Sequence, residues 1–127
     1  MKQGQATAAL KRFLDAKPGA LADPFTASRG STPVAVLYKV FGKMFAILSM
    51  RGEEYVILKC DPTLAHALRR KYTGVGHRSH LDKRFWISVA LKSDVPAAEI
   101  RRLVEHSYGL VRAGLTRKQK AQLACAN

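Results

Sequence analysis

Hydrophobic residues recur along this chain with a helical period in some segments and alternate with polar residues in others. Residues 3–16 keep their apolar side chains on one helical face, and Pro18-Gly19 ends that predicted helix. Residues 22–33 are rich in proline, glycine and serine, so we expect a loop there. The start of the chain therefore predicts one amphipathic helix followed by a long connection.

Strand patterns follow in close succession. Residues 34–41, 43–51 and 55–60 are rich in β-branched and aromatic residues, and short turns separate them. Because turns this short join antiparallel neighbours, these three strands should form a meander. A further strand is predicted over 84–91. Alternate side chains of this strand should point to opposite faces of the sheet. One face has Phe85, Ile87, Val89 and Leu91, and the other has Arg84, Trp86, Ser88 and Ala90.

The remaining segments predict three helices. Asp61 and Pro62 open one over 62–71, because aspartate is a favoured N-cap and proline suits the first helical position. The longest helix is predicted from Pro96 to Leu115, and Thr116 with Gln119 forms a capping box for a last helix over 117–124. In the 62–71 helix, the expected buried residues are Leu64, Ala67, Leu68 and Tyr72, and the expected exposed ones are His66, Arg69 and Arg70.

The order of these elements predicts the fold class. Helices grouped outside a run of antiparallel strands indicate an α+β protein, and 127 residues suit one domain over 1–127. Helices should cover one face of a twisted antiparallel sheet and leave the other face open. Residues 116–127 should form a short basic helix and tail.

Charge adds a candidate function. Twenty-two Lys and Arg stand against nine Asp and Glu, a formal net charge of +13. Such a surface attracts polyanions, although the same excess can serve solubility alone. Cys60 and Cys125 make no disulfide framework, and Cys60 lies in an apolar strand pattern that predicts burial. The sequence has no signal-peptide core and no apolar run of membrane-spanning length, so we expect a cytoplasmic protein without a membrane partner.

Several strings of this sequence, in one order and spacing, resemble the MmcQ/YjbR family. They are Tyr38-Lys39-Val40-Phe41-Gly42-Lys43-Met44-Phe45-Ala46, Leu58-Lys59-Cys60-Asp61-Pro62, Tyr72-Thr73-Gly74-Val75 and His80-Leu81-Asp82-Lys83-Arg84-Phe85-Trp86, continued by Val95-Pro96 with Glu99-Ile100 and Ser107-Tyr108 with Leu110-Val111. The resemblance runs from about Leu10 to Leu123. It implies a frataxin-like, or CyaY-like, two-layer sandwich with helices on one side of the sheet. It also implies a DNA-binding label, with no established reaction.

This chain departs from the family pattern in one loop. Members usually have Pro-Gly before an aromatic-His pair, where this chain has His77, Arg78 and Ser79. An Asn commonly follows the Leu, where Asp82 stands here, and Phe85 stands where His is frequent. If that loop contacts the ligand, the ligand or its geometry differs in this protein.

One face of the predicted sheet is the candidate nucleic-acid interface. Lysines neutralise phosphates, and an indole ring offers a surface on which a base can stack. In the competing interpretation, Trp86 is a half-buried core residue and the lysines are solvated strand ends. The candidate contact residues are Lys39, Lys43, Lys59, His80, Lys83, Arg84 and Trp86. A second basic patch is predicted on the 62–71 helix, at His66, Arg69, Arg70 and Lys71.

Candidate chemistry is sparse elsewhere in the sequence. A metal site would have to be built from His77 and His80, together with Asp82 and Cys60. These residues do not form a complete ligand set at a spacing typical of metal sites. No nucleophile elbow, phosphate loop, dinucleotide fingerprint or carboxylate pair is present. We therefore expect no catalytic activity, no metal and no cofactor.

The sequence thus predicts a monomer or weak dimer that binds nucleic acid, DNA in the first place, through phosphate contacts with little sequence preference. The alternative is a module that binds a protein or a small acidic ligand on the open sheet face. A continuous basic groove favours the first function and an apolar sheet patch the second.

Overall fold

The computed structural model describes residues 5–26, 33–50 and 52–125, which form an α+β fold with one antiparallel sheet. In chain order, the elements are α1 (Gln5–Asp15), β1 (Ala20–Phe25), β2 (Ala35–Val40), β3 (Lys43–Ser49), β4 (Tyr55–Lys59), α2 (Pro62–Lys71), β5 (Val75–Gly76), β6 (Trp86–Ala90), α3 (Ala97–Ala113) and α4 (Arg117–Cys125). In space the six strands follow the order β1-β2-β3-β4-β6-β5, and every neighbouring pair is antiparallel.

The predicted meander and helices are confirmed, but two strands were missed. β1 lies in the segment predicted as a loop, and the two-residue β5 lies in the loop after α2. β1 is an edge strand with exposed residues and a proline at Pro24, so it has neither the alternation nor the composition that marks an inner strand. Residues 1–4, 27–32, 51 and 126–127, which the sequence predictions included, lie outside the described residues.

The core lies between the helices and one face of the sheet. Alternate residues of the inner strands, such as Tyr38, Leu48, Leu58 and Val89, are fully buried on this face. α3 crosses β3 and β4 and closes the layer with its own apolar stripe, as predicted. Among the described residues, the helices therefore cover one sheet face and leave the other without a helical layer.

Three predicted side-chain positions are corrected by the structure. In α2 the buried residues are Ala65 and Leu68, whereas Ala67 is exposed. Phe85 precedes β6 and is exposed, so Ile87 and Val89 line the core without it. Arg69, predicted as exposed, is half-buried between α2 and the start of β6.

A β-bulge joins the sheet to α3. The register between β2 and β3 shifts at Tyr38/Lys39, so Phe45 and Ala46 are both buried on the helix side. The hydroxyl of buried Ser107 in α3 donates to the Phe45 carbonyl at 2.6 Å and accepts from the Lys59 amide at 2.9 Å. One helix side chain therefore satisfies backbone groups of two strands, which fixes α3 over the bulge.

Candidate nucleic-acid interface

One end of the sheet collects basic residues from both of its faces. β2 and β4 finish there, and β3 and β6 begin there. The register pairs Lys39 with Met44 and Lys59 with Trp86 at this end. We call this region the basic end of the sheet.

Lys59 and Trp86 are cross-strand neighbours on the open face, as predicted. Both are half-buried, so Trp86 offers only part of its indole to a ligand. Lys39 lies on the same face, but the carboxylate of Asp23 lies 3.6 Å from its ammonium group. Of the predicted lysines on this face, Lys59 has no ion pair among the described residues.

The predicted placement of Lys43 on the open face is wrong. Lys43 pairs with Val40, whose side chain is buried against the helices, and its ammonium group donates to the Gly114 carbonyl at 2.8 Å. Strict alternation back from Ala46 would put Lys43 on the open face, and the bulge reverses that alternation. Lys43 therefore caps the carboxyl end of α3 from the helix side.

The other predicted contacts lie in the loop before β6. Arg84 is exposed but forms two side-chain hydrogen bonds with Asp82, at 2.8 and 3.2 Å. Hydrogen bonds from Arg84 lower the pKa of Asp82 to about 2. Lys83 and His80 are exposed, and neither has an ion pair or side-chain hydrogen bond within the described ranges. Arg84 is thus largely neutralised, while Lys83 and His80 are available to a ligand.

The predicted basic patch on α2 is divided by Arg69. The Arg69 guanidinium donates to the carbonyls of Lys83 and Trp86, at 2.8 Å each, and so joins α2 to the loop. Arg70 remains exposed, while the Lys71 ammonium lies 5.2 Å from the ring centre of Tyr72. Arg69 is therefore a structural residue in this fold.

A second set of cations lies in the C-terminal segment of the chain, which Lys43 contacts at Gly114. Glu105 is the last acidic residue of the sequence, and four lysines and arginines follow it. The contact between Lys43 and Gly114 adds a fifth cation from β3. No acidic partner lies within 4.0 Å of any of the five among the described residues. This C-terminal basic cluster consists of Lys43, Arg112, Arg117, Lys118 and Lys120.

The first turn of α4 has an unfavourable charge for a helix start. Arg117 and Lys118 lie at the positive end of the helix dipole, where acidic residues would be stabilising, and the turn contains no acid. The Thr116 hydroxyl accepts from the Gln119 amide at 3.1 Å, and the Gln119 side chain accepts from the Thr116 amide at 3.0 Å. This confirmed capping box occupies the Thr116 and Gln119 amides, and the Arg117 and Lys118 side chains add positive charge to the same turn.

An exposed aromatic residue stands at the tip of the β2–β3 hairpin. Phe41 and Gly42 both have positive φ, at 49° and 78°, and Phe41 is 39% exposed. A bulky residue in the left-handed region costs about 1–3 kcal/mol. Sequence reasoning did not select Phe41, although an aromatic residue before Gly42 in a two-residue turn was the available signal.

The residues considered for metal binding or catalysis are held apart. Cys60 is buried, as predicted, and burial raises its pKa to about 11. The His77 Nε2 atom contacts the Leu81 carbonyl at 2.6 Å, and Asp82 bonds to Arg84. In the described ranges, no group of three or more His, Cys, Asp and Glu is placed to hold a metal ion. Nor does any described helix have the length and apolar character that crossing a membrane requires.

Structural comparison finds the same fold in solved proteins. A crystal structure of a Deinococcus radiodurans protein with the domain DUF419 matches with a TM-score of 0.76 and 26% identity, covering 92% of this chain and 86% of that one. A crystal structure of a Pseudomonas syringae protein matches with a TM-score of 0.63 and 25% identity, over 80% of this chain and 97% of that one.

Sequence comparison identifies relatives in Escherichia coli. The uncharacterized protein YjbR of strain K12 is 33% identical over 100 residues, which is 78% of this chain and 80% of the relative. The uncharacterized protein YbdF of strain O157:H7 is 30% identical over 88 residues, 68% of this chain and 72% of the relative. The YjbR family model matches residues 15–110. With three-quarters of its length matched by that model, the chain belongs to the YjbR family.

Proposed function

We propose that this protein binds nucleic acid through phosphate contacts, without catalysing a reaction, and that the C-terminal basic cluster makes those contacts. The observation that carries the proposal is the lack of acidic partners, among the described residues, around five cations drawn from β3, α3 and α4. Phosphates release condensed counterions when cations neutralise them, which makes such a surface attractive to any nucleic acid.

Residues that are unfavourable for local stability support the same surface. Cations at the amino end of α4 and a phenylalanine in a left-handed turn both violate local preferences. Such violations are expected where binding, rather than folding, selects the residues. Phe41 lies two residues before Lys43, so its exposed ring is the candidate stacking surface beside the cluster.

Electrostatic binding predicts little sequence preference and a strong dependence on salt. Each phosphate neutralised on duplex DNA adds about 0.9 to the slope of log affinity against log salt. A variant with Gln at Arg117, Lys118 and Lys120 should therefore lose about 2 to 3 from that slope. The measurement is a salt titration of binding to duplex DNA, single-stranded DNA and RNA.

Two matched variants locate the site. A variant with Gln at Arg12, Arg70 and Arg101 removes the same charge from positions outside the cluster and should change the slope less. A variant with Gln at Lys59 and Lys83 tests the interface that the sequence predicts. An equal loss of slope in the cluster variant and in the variant at Arg12, Arg70 and Arg101 would reject the cluster as the site. No binding to any nucleic acid at low salt would reject the function.

The open sheet face favours a second candidate, binding of a partner protein. Leu21 and Phe25 of the edge strand are 70% and 52% exposed, and Leu37 and Ile47 continue this apolar face inward. Apolar contacts of this kind depend weakly on salt, so a steep salt slope separates the two functions.

A further inference from the structure

A polar cavity opens on the sheet face that carries no helices, where β5 and β6 meet the segment after β6. Its volume is about 320 Å³, which lies at the lower end of the range for small-molecule sites. Its lining residues are distinct from the C-terminal basic cluster, so the cavity and the cluster are separate surfaces.

A serine of β6 forms part of the cavity wall. Ser88 is 2% exposed and stands between Ile57 of β4 and Gly76 of β5. A Cβ atom at Gly76 would lie 3.7 Å from the Ser88 hydroxyl oxygen, so the glycine leaves the space beside that hydroxyl open. Within the described part of the chain, the hydroxyl has no hydrogen-bond partner. The hydroxyl can therefore donate to a ligand oxygen in the cavity.

The rim of the cavity is held in place by backbone hydrogen bonds. The Asp94 carboxylate accepts from the amides of Thr73 and Gly74, at 2.9 and 2.8 Å, and these bonds lower its pKa. The Ala90 amide donates to the Gly74 carbonyl at 2.9 Å. A Cβ atom at Gly74 would lie 2.2 Å from the Ser93 hydroxyl oxygen, so these two segments are in close contact. The site is thus formed before a ligand arrives, which lowers the entropic cost of binding.

The charged groups around the cavity are the cations of Arg78 and Lys92 and the carboxylates of Glu53 and Asp94. Both guanidinium nitrogens of Arg78 bond to the Glu53 carboxylate at 2.9 Å, and Arg78 stacks 5.0 Å from the ring centre of Tyr55. Lys92 is exposed and has no ion pair among the residues that the structure describes. Glu53 offsets the charge of Arg78, and the backbone amides of Thr73 and Gly74 stabilise the Asp94 carboxylate. The Lys92 ammonium and the Ser88 hydroxyl are therefore the groups that favour an anionic oxygen.

We infer that this cavity binds a small organic molecule by its phosphate or carboxylate group, with Lys92 and Ser88 as the contacts to that group. A volume at the lower end of the range for small-molecule sites favours a small ligand. Glycerol 3-phosphate and gluconate supply the two anionic groups on polyols of this size, and glycerol is the neutral control.

The experiment follows amide chemical shifts of the labelled protein during titration into the millimolar range. Saturable shifts at Gly74, Gly76 and Ser88 with either anion, and none with glycerol, are expected. Ser88→Ala combined with Lys92→Gln should weaken that binding about tenfold or more, because it removes a charge-assisted contact. Ser49→Ala combined with Lys83→Gln removes the same groups outside the cavity and should leave affinity unchanged.

Two further measurements separate binding from other roles. Ser88→Ala alone should not lower the midpoint of thermal unfolding, because the hydroxyl has no partner among the described residues to lose. The Gln variant at Arg117, Lys118 and Lys120 should bind the small anion with unchanged affinity, whatever its effect on nucleic acid. The inference is overturned if neither anion gives saturable shifts, if the double variant binds as before, or if Ser88→Ala lowers the midpoint.

Discussion

Single polar side chains make the long-range contacts that position the elements of this protein. Ser107 joins α3 to the carbonyl of Phe45 and the amide of Lys59, residues 62 and 48 positions away in sequence. The hydroxyl of buried Tyr38 donates to Asp15 at 2.9 Å, and burial together with this bond raises its pKa above the usual range. None of these contacts follows from hydrophobic periodicity, because each partner is chosen by packing.

Ser107→Ala should reduce the free energy of unfolding by about 2 kcal/mol or more. The change removes one hydroxyl but leaves two backbone groups near the bulge without a partner, and each unsatisfied buried group costs about 1–3 kcal/mol. Urea-induced unfolding measures the difference. Ser49→Ala on the open face is the control and should stay within about 0.5 kcal/mol of the unsubstituted protein. A similarly small effect of Ser107→Ala would contradict the bridging role.

Ion pairs with acidic residues determine which of the predicted contact residues are available to a ligand. Lys59 and Trp86 are neighbours, as predicted, because they share a face of adjacent strands. Lys39 and Arg84 also lie near the basic end, but Asp23 and Asp82 accompany them. Sequence spacing suggests the Arg84 pair, two residues apart, but not the Lys39 pair, which depends on the register of β1.

At the scale of elements, α4 combines weak packing with strong charge. Buried Leu123 anchors it to the rest of the fold, beside Gly19, whose φ of 75° and lack of a side chain permit the close approach. The rest of the helix is largely exposed, and its cations face solvent. The stability of α4 therefore depends strongly on its caps and on the charges at its ends. The stability of α3 depends less on them, because α3 packs against the sheet.

Lys118→Glu should have opposite effects on stability and binding. An acid in the first turn interacts favourably with the helix dipole, so we expect a gain of about 0.3–1 kcal/mol in the free energy of unfolding. The same change should weaken nucleic-acid binding, because one cation becomes an anion in the cluster. Chemical denaturation and a binding titration measure the two effects.

Arg70→Glu is the matched control for this prediction. It makes the same charge change in the last turn of α2, where the dipole favours cations. Stability should therefore fall there, with a smaller loss of nucleic-acid binding. If Lys118→Glu bound nucleic acid as tightly as the unsubstituted protein, the cluster would not be the interface.

At the scale of the whole molecule, charge repulsion opposes folding. The net charge is +13, and six ion pairs within the described residues neutralise only part of the basic surface. Most of these pairs are exposed, and an exposed pair contributes about 0–1 kcal/mol, less at higher salt. Repulsion among the unpaired cations is spread over the surface and is screened by the same salt.

Raising NaCl from low to physiological concentration should therefore raise the midpoint of thermal unfolding at neutral pH. The Debye length falls from about 30 Å to about 8 Å over that range, which screens repulsion across much of this small protein. The Gln variant at Arg117, Lys118 and Lys120 carries three fewer charges and should show a smaller rise. A midpoint that falls as NaCl is added would show that the ion pairs outweigh the repulsion.

The sequence by itself determined the kinds of element and their order. Helical and strand periods are local properties, short turns require antiparallel neighbours, and the signals at Asp61, Pro62 and Thr116 lie within a few residues of the helices they start. The excess of positive charge is likewise a property of composition alone. The edge strand β1 is different, because its pairing with β2, rather than its own composition, makes it a strand.

Only the tertiary structure decided which of these residues act together. The bulge at Phe45 places Lys43 on the helix side of the sheet. The ammonium group of Lys43 therefore contacts the carboxyl end of α3 and does not lie at the predicted sheet interface. Likewise, the pairing of β5 with β6 sets Gly76 opposite Ser88 and leaves the cavity beside that hydroxyl. Register and side-chain contacts depend on residues far apart in sequence, and a shift of one residue exchanges the two faces of a strand.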